Sequence, residues 1–138
     1  MKSTLIIYSS TDGQTRNICS RIGEFLSNDT PLKIISLSEA TNNDIEKYDQ
    51  VIIGASIRYG KHKKELFKFI DKNLDELTKK DNAFFSVNVV ARKPEKNTPE
   101  NNPYMQKFLL KTAWVPRKLA VFAGKIDYPK YNFVDKQI

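Results

Sequence analysis

The sequence predicts an α/β domain in which helices cover both faces of a mostly parallel sheet. Three observations point to it. Short β-branched apolar runs recur along the 138 residues, and amphipathic stretches of helical period separate them. The first run, Thr4 to Ser9, shows little polar alternation, as a strand buried on both faces does. The spacing leaves room for crossover helices, and right-handed crossovers place helices on both sides of a sheet.

The elements follow in order. Thr4–Ser9 is the first strand. Thr15 to Leu26 is a helix, with Ile18, Ile22, Phe25 and Leu26 on one stripe. Asn28 and Asp29 stop it, and Pro31 forbids its return. Leu32 to Leu37 is the second strand. A polar stretch, Ser38 to Asp44, leads to the third strand, Gln50 to Ala55. Lys64 to Leu77 is a second helix, with Leu66, Phe67, Ile70, Leu74 and Leu77 on one face. Ala83 to Val90 is the fourth strand. Residues 92–103 carry three prolines and three asparagines, which predicts a long loop of the functional or disordered kind. Tyr104 to Ala113 is a third helix, with Tyr104, Phe108 and Thr112 on one side. Lys118 to Ala123 is the fifth strand.

Five strands fit a sheet of order 2-1-3-4-5 in one domain spanning residues 1–138. A helix should follow the fifth strand and close the sheet beside strand 1. The chain ends at Ile138 before such a helix is complete, so the closing helix is expected to be missing. The sheet side left open would favour association with a second copy.

Composition removes several classes. The single cysteine, Cys19, excludes a disulfide scaffold, and the single histidine, His62, excludes a two-histidine metal motif. No metal site is expected. No apolar run approaches the ~20 residues of a membrane span, and the start is too short and too soon polar for a signal peptide. A cytoplasmic location follows as the expectation. The net charge is +7, and it is uneven: residues 1–90 hold 13 basic and 12 acidic side chains, residues 91–138 hold 10 and 4. Such asymmetry suggests an anionic partner or membrane surface. Nucleic acid would rest on charge alone, with no recognition motif, and is not expected.

In a sheet of this order ligands bind outside the carboxyl ends of the strands, where strand order reverses. After strand 1 come Ser10, Thr11, Asp12, Gly13, Gln14 and Thr15. Hydroxyls feeding a helix N-terminus suit a phosphate, and Gly13 lets the backbone approach it. The same residues also suit helix capping. Neither G-x-x-x-x-G-K-[ST] nor G-x-G-x-x-G is present, which disfavours nucleoside triphosphates and dinucleotides. After strand 3 come Gly54, Ala55, Ser56, Ile57, Arg58 and Tyr59. Small residues at 54–56 leave room for a planar group, Ile57 or Tyr59 can lie against its face, and Arg58, Lys61, Lys63 and Lys64 form a basic rim. After strand 4, Ser86, Val87, Asn88, Val89, Val90 and Ala91 bring backbone groups and one amide to the same edge. His62, among lysines, reads as a surface residue, Cys19 as buried packing, and Trp114 as core. No catalytic base is identifiable.

Ser10 to Thr15 resembles the phosphate loop of the flavodoxin-like superfamily, with Asp12 where Thr is commoner. Ile53–Gly60, Ser86–Lys96 and Tyr128–Tyr131 extend the resemblance to one family, the bacterial quinone-dependent protoporphyrinogen IX dehydrogenases, along residues 1–138. The resemblance implies a three-layer flavodoxin-like sandwich that binds FMN non-covalently. The implied contacts are Ser10–Thr15, then Ala55, Ser56, Ile57, Arg58 and Tyr59, then Phe84, Phe85, Ser86, Val87, Asn88, Val89, Val90 and Ala91. It implies oxidation of protoporphyrinogen IX to protoporphyrin IX in haem synthesis, with electrons passed to menaquinone or ubiquinone at the cytoplasmic face of the inner membrane. The family continues past the point matching Ile138, through a basic stretch and a closing helix. Peripheral membrane contact through basic surface fits the charge, and loop 92–103 is the segment expected to touch substrate or membrane. A flavodoxin-type electron carrier is the alternative; its kind resembles an acidic surface, unlike +7. A phospho-receiver domain would need carboxylates where Ser10, Thr11 and Gly54–Ser56 stand.

Overall fold

A computed structural model describes residues 3–9, 14–26, 31–57, 62–123 and 134–135. Its strands are β1 (Thr4–Ser9), β2 (Leu32–Ser36), β3 (Gln50–Ser56), β4 (Asp81–Val87), β5 (Lys118–Phe122) and β6 (Val134–Asp135). They form one sheet in the order β2-β1-β3-β4-β5-β6. The first five pair in parallel, as expected. The short β6 pairs antiparallel with β5, Leu119 opposite Val134, and was not foreseen. Residues 124–133 and 136–138, including Tyr128 and Tyr131, lie outside the described residues.

Alternation along each strand divides the apolar side chains between two cores. Helix α1 (Gln14–Leu26) sends Ile18, Cys19 and Ile22 onto one face, against Ile6, Ile52 and Phe85. On the opposite face Leu66 and Ile70 of α3 (Lys64–Lys72), Leu77 of α4 (Leu74–Lys79), and Met105 and Phe108 of α5 (Pro103–Lys111) cover Leu5, Ile7, Val51, Ile53 and Phe84. Ile45 of the short α2 (Asn42–Lys47) joins that core. Cys19 and Trp114 are buried, as expected.

Two expectations change. The helix anticipated over 64–77 breaks at Asn73, whose side chain donates to Phe69 O at 2.9 Å while its backbone leaves helical angles (φ −112, ψ 16). The stretch 38–44 contains the start of α2, and Asp44 accepts from the Thr41 N–H at 2.9 Å and hydroxyl at 3.1 Å. A Thr followed three residues later by a carboxylate is a helix-start signal, and that signal was legible.

Candidate functional site at the carboxyl edge of the sheet

β1, β3 and β4 all end on one edge. The chain leaves β1 toward β2 on one side and reaches β3 on the other, which makes this the switch point of the sheet. Four stretches arrive there: the residues after β1, after β3, after β4 and after β5.

After β1, Ser10 to Gly13 lie outside the described residues, and Gln14 opens α1. Thr15 sits in its first turn, fully buried, and its Oγ1 has no hydrogen-bond partner among the described residues. A buried hydroxyl without a partner is costly, so the position calls for a group to bond. The first turn of α1 carries no acidic residue to repel an anion. The first-turn N–H groups and positive dipole end of this thirteen-residue helix point toward the same place. The donor set fits a phosphate monoester, as FMN carries.

After β3, Ala55 is buried in the core and Ser56 is half-buried, its Oγ 3.5 Å from Ser9 O. Ile57 is half-buried at the edge and donates its N–H to Val87 O at 3.1 Å. Arg58, Tyr59 and Lys61 lie outside the described residues. The space expected beside Gly54 is already filled. A Cβ there would run into the Phe85 ring, so the glycine accommodates a side chain of the sheet and not a cofactor.

After β4, the outcome is mixed. Phe84 and Phe85 are fully buried on opposite faces, Phe84 stacked on Phe108 at 3.8 Å and Phe85 edge-on to Phe122. Their side chains pack the cores. Val87 is buried against the α1 core. Val89, Val90 and Ala91 turn in a short 3-10 helix that ends at Arg92 and bring their backbone to the edge. Ser86 and Asn88 are buried in a polar cluster: Asn88 Nδ2 donates to Ser86 Oγ at 3.1 Å and to Asn102 Oδ1 at 3.1 Å, and Asn102 Nδ2 returns a bond to Asn88 Oδ1 at 2.9 Å.

His62 requires a correction. It is 5% exposed, not a surface residue. Its ring stands edge-on to Phe84 and Phe108, with Nε2 3.0 Å from Ser86 Oγ. Burial, reinforced by the Lys111 charge, lowers its pKa to about 4, so the imidazole is neutral. Ser86 Oγ also accepts from Asn88 Nδ2, so the hydroxyl bridges the imidazole and the amide, with its own proton free to serve Nε2 in the tautomer protonated at Nδ1. Burial pushes the Cys19 thiol up to about 12, which leaves it inert. The loop 92–103 is also more structured than expected. It holds a 3-10 turn at Pro94–Lys96, and Asn102 donates to Lys96 O at 3.0 Å.

Exposed Lys64, Arg92 and Lys93 rim the edge, and half-buried Lys63 lines a cleft of about 440 Å³ with Tyr8, Ser9, Ser36 and Phe69. Among the described residues no cluster of His, Cys, Asp or Glu is placed to hold a metal, and no helix is long and apolar enough to cross a membrane.

A flavodoxin domain model matches residues 5–138. Protoporphyrinogen IX dehydrogenase (quinone) of Escherichia coli strain K12 is 42% identical over 134 residues, 96% of this chain and 74% of the relative. The Leishmania major protein of the same name is 38% identical over 134 residues, covering 58% of its own length. Among solved structures, a short-chain flavodoxin associated with a non-canonical PDU bacterial microcompartment superposes with a TM-score of 0.63 over 88% of this chain and 83% of its own, at 17% identity, which shows a shared fold. The chain therefore belongs to the flavodoxin-domain family, and within it to the group that contains the quinone-dependent protoporphyrinogen IX dehydrogenases.

Proposed function

We propose that the chain is an FMN-dependent oxidoreductase that converts protoporphyrinogen IX to protoporphyrin IX and delivers the electrons to a membrane quinone. The observation that carries this reading is 42% identity over 96% of the chain to a relative bearing that name. The buried Thr15 hydroxyl, unpartnered among the described residues, supports the cofactor.

In this reading Ser10, Thr11, Asp12, Gly13, Gln14 and Thr15 hold the phosphate. Ala55, Ser56, Ile57, Arg58 and Tyr59 form one wall for the flavin ring. The backbone of Val89, Val90 and Ala91 forms the other wall and meets its polar rim, and Ser86, Val87 and Asn88 hold that turn from the strand behind it. FMN supplies the redox chemistry, accepting the substrate's hydrogens. The protein supplies orientation and exclusion of water. His62 is not the proton acceptor, because burial lowers its pKa to about 4, its Nε2 is engaged with Ser86 Oγ, and phenyl rings wall it in. Protons released by the substrate pass to the solvent at the open edge. Lys64, Arg92 and Lys93 draw the substrate's propionates, and the same edge faces an anionic membrane surface, where each basic residue contributes about 1 kcal/mol.

The test is anaerobic. The FMN-loaded protein is mixed with protoporphyrinogen IX, and flavin absorbance is followed beside porphyrin fluorescence. One FMN takes up two of the six hydrogens that separate porphyrinogen from porphyrin, so flavin bleaching on mixing, then flavin recovery with rising porphyrin fluorescence on adding a quinone, is the expected result. Flavin that binds but does not bleach, yet accepts electrons from a reductase, would make the protein a carrier instead.

A further inference from the structure

The carboxyl end of β4 fastens two separate segments of chain. Ile57 donates to Val87 O at 3.1 Å, and His62 Nε2 lies 3.0 Å from Ser86 Oγ. These two residues bracket 58–61. On the other flank Asn88 and Asn102 exchange bonds of 3.1 and 2.9 Å and bracket 89–101. Asn88 closes the circuit by donating to Ser86 Oγ at 3.1 Å. Ser86 thus touches both flanks at once.

Stability alone does not explain this arrangement. His62, Ser86, Asn88 and Asn102 are all at most 5% exposed, and His62 abuts the Phe84–Phe108 stack. Apolar side chains of the same shape would hold such a core about as well, because a buried hydrogen bond gains little net over water. A saturated polar chain adds direction: each member fits only one orientation of its neighbour. Asn102 is saturated, with Oδ1 accepting from Asn88 and from the Tyr104 and Met105 N–H groups, and Nδ2 donating twice.

We propose that Ser86 is a positioning residue: through the buried chain His62–Ser86–Asn88–Asn102 it ties His62, and with it the β3 end at Ile57, to segment 88–102, and so sets the gap between the two walls assigned to the flavin ring. The ring itself rests on the function proposed above; the coupling rests on the hydrogen bonds.

Ser86→Ala removes one hydroxyl and tests both halves. In the flavin-free chain, amide hydrogen exchange at Ile57, Ala91 and Met105 should accelerate together, about tenfold, with Ile6 and Ile52 unchanged. Acceleration on one flank only, or equally everywhere, overturns the coupling. Riboflavin and FMN should then both bind about tenfold more weakly, with their affinity ratio as in the parent protein. Thr15→Val should do the reverse, lowering the FMN-to-riboflavin ratio. Faster exchange with riboflavin affinity unaltered would overturn the positioning role while leaving FMN binding intact. If the parent binds neither flavin, the proposed function and the ring gap fall together, and exchange alone decides the coupling. Should Ser86→Ala not fold, Ser86→Cys keeps a small side chain, weakens both of the hydroxyl's hydrogen bonds and gives the same readouts.

Discussion

At the scale of single residues, His62 links burial to acid stability. Its folded pKa, about 4, lies below the ordinary 6.5. Above pH 6.5 the ring is neutral in both states and contributes no pH dependence. Between 6.5 and 4 the unfolded chain takes up a proton that the folded chain refuses, so stability falls as pH falls. The interval is worth about 3 kcal/mol. Urea unfolding at pH 7 and pH 4.5 should show most of that loss, and His62→Gln should flatten it. The carboxylates act lower: the Thr41 N–H beside Asp44 and the Ser3 N–H beside Asp49 hold both groups below 3.8. Their contributions are present above that value and disappear beneath it. Sequence reasoning placed His62 at the surface because its neighbours in the chain are lysines. The phenyl rings that enclose it come from β4 and α5, and local composition carries no trace of them. Cys19 was legible because it lies beside the apolar stripe of α1.

At the scale of elements, Asn102 joins a loop to a helix. Its side chain caps α5 through Tyr104 and Met105 at 3.1 Å each and pairs with Asn88. Asn102→Ala should cost about 2–4 kcal/mol, combining a lost cap with a stranded buried amide. Asn102→Asp keeps the acceptor and loses the donors, so thermal unfolding should place it between the two. All five parallel strands were legible, since β-branched runs mark them. Interruptions made by side chains, such as that at Asn73, were not. Prolines correctly announced a loop over 92–103. What they concealed is that Asn102 ties it down, for an amide pair formed by residues 14 apart has no local signature. The site was legible as three segments after three strands. Which of their side chains point inward was not, and so Phe84 and Phe85, whose rings pack the two cores, stood among the expected cofactor contacts.

At the scale of the molecule, charge acts on encounter. The net +7 includes the lysines and arginines that rim the carboxyl edge. For a dianionic substrate, raising ionic strength from about 0.05 to 0.5 M shortens the Debye length to a few ångströms. KM for protoporphyrinogen IX should rise roughly three- to tenfold while kcat changes little, as steering is lost without disturbing the chemistry. Steady-state kinetics across a salt series, with an uncharged porphyrinogen ester as control, checks this.

The meeting of Gly54 and Phe85 reaches beyond the space it fills. Along the α1 face of the central strand pair, Ile52 stands opposite Ala83, Gly54 opposite Phe85 and Ser56 opposite Val87. Large faces small at the first two of these rungs. Sliding β4 by two residues would preserve which side chains face inward, yet would set the phenyl ring against Ile52 or Ser56 and leave the glycine beside a void. The hydrophobic pattern alone would tolerate that slip. The glycine and the ring therefore act as lock and key during assembly, admitting a single alignment of the two strands whose ends must later meet.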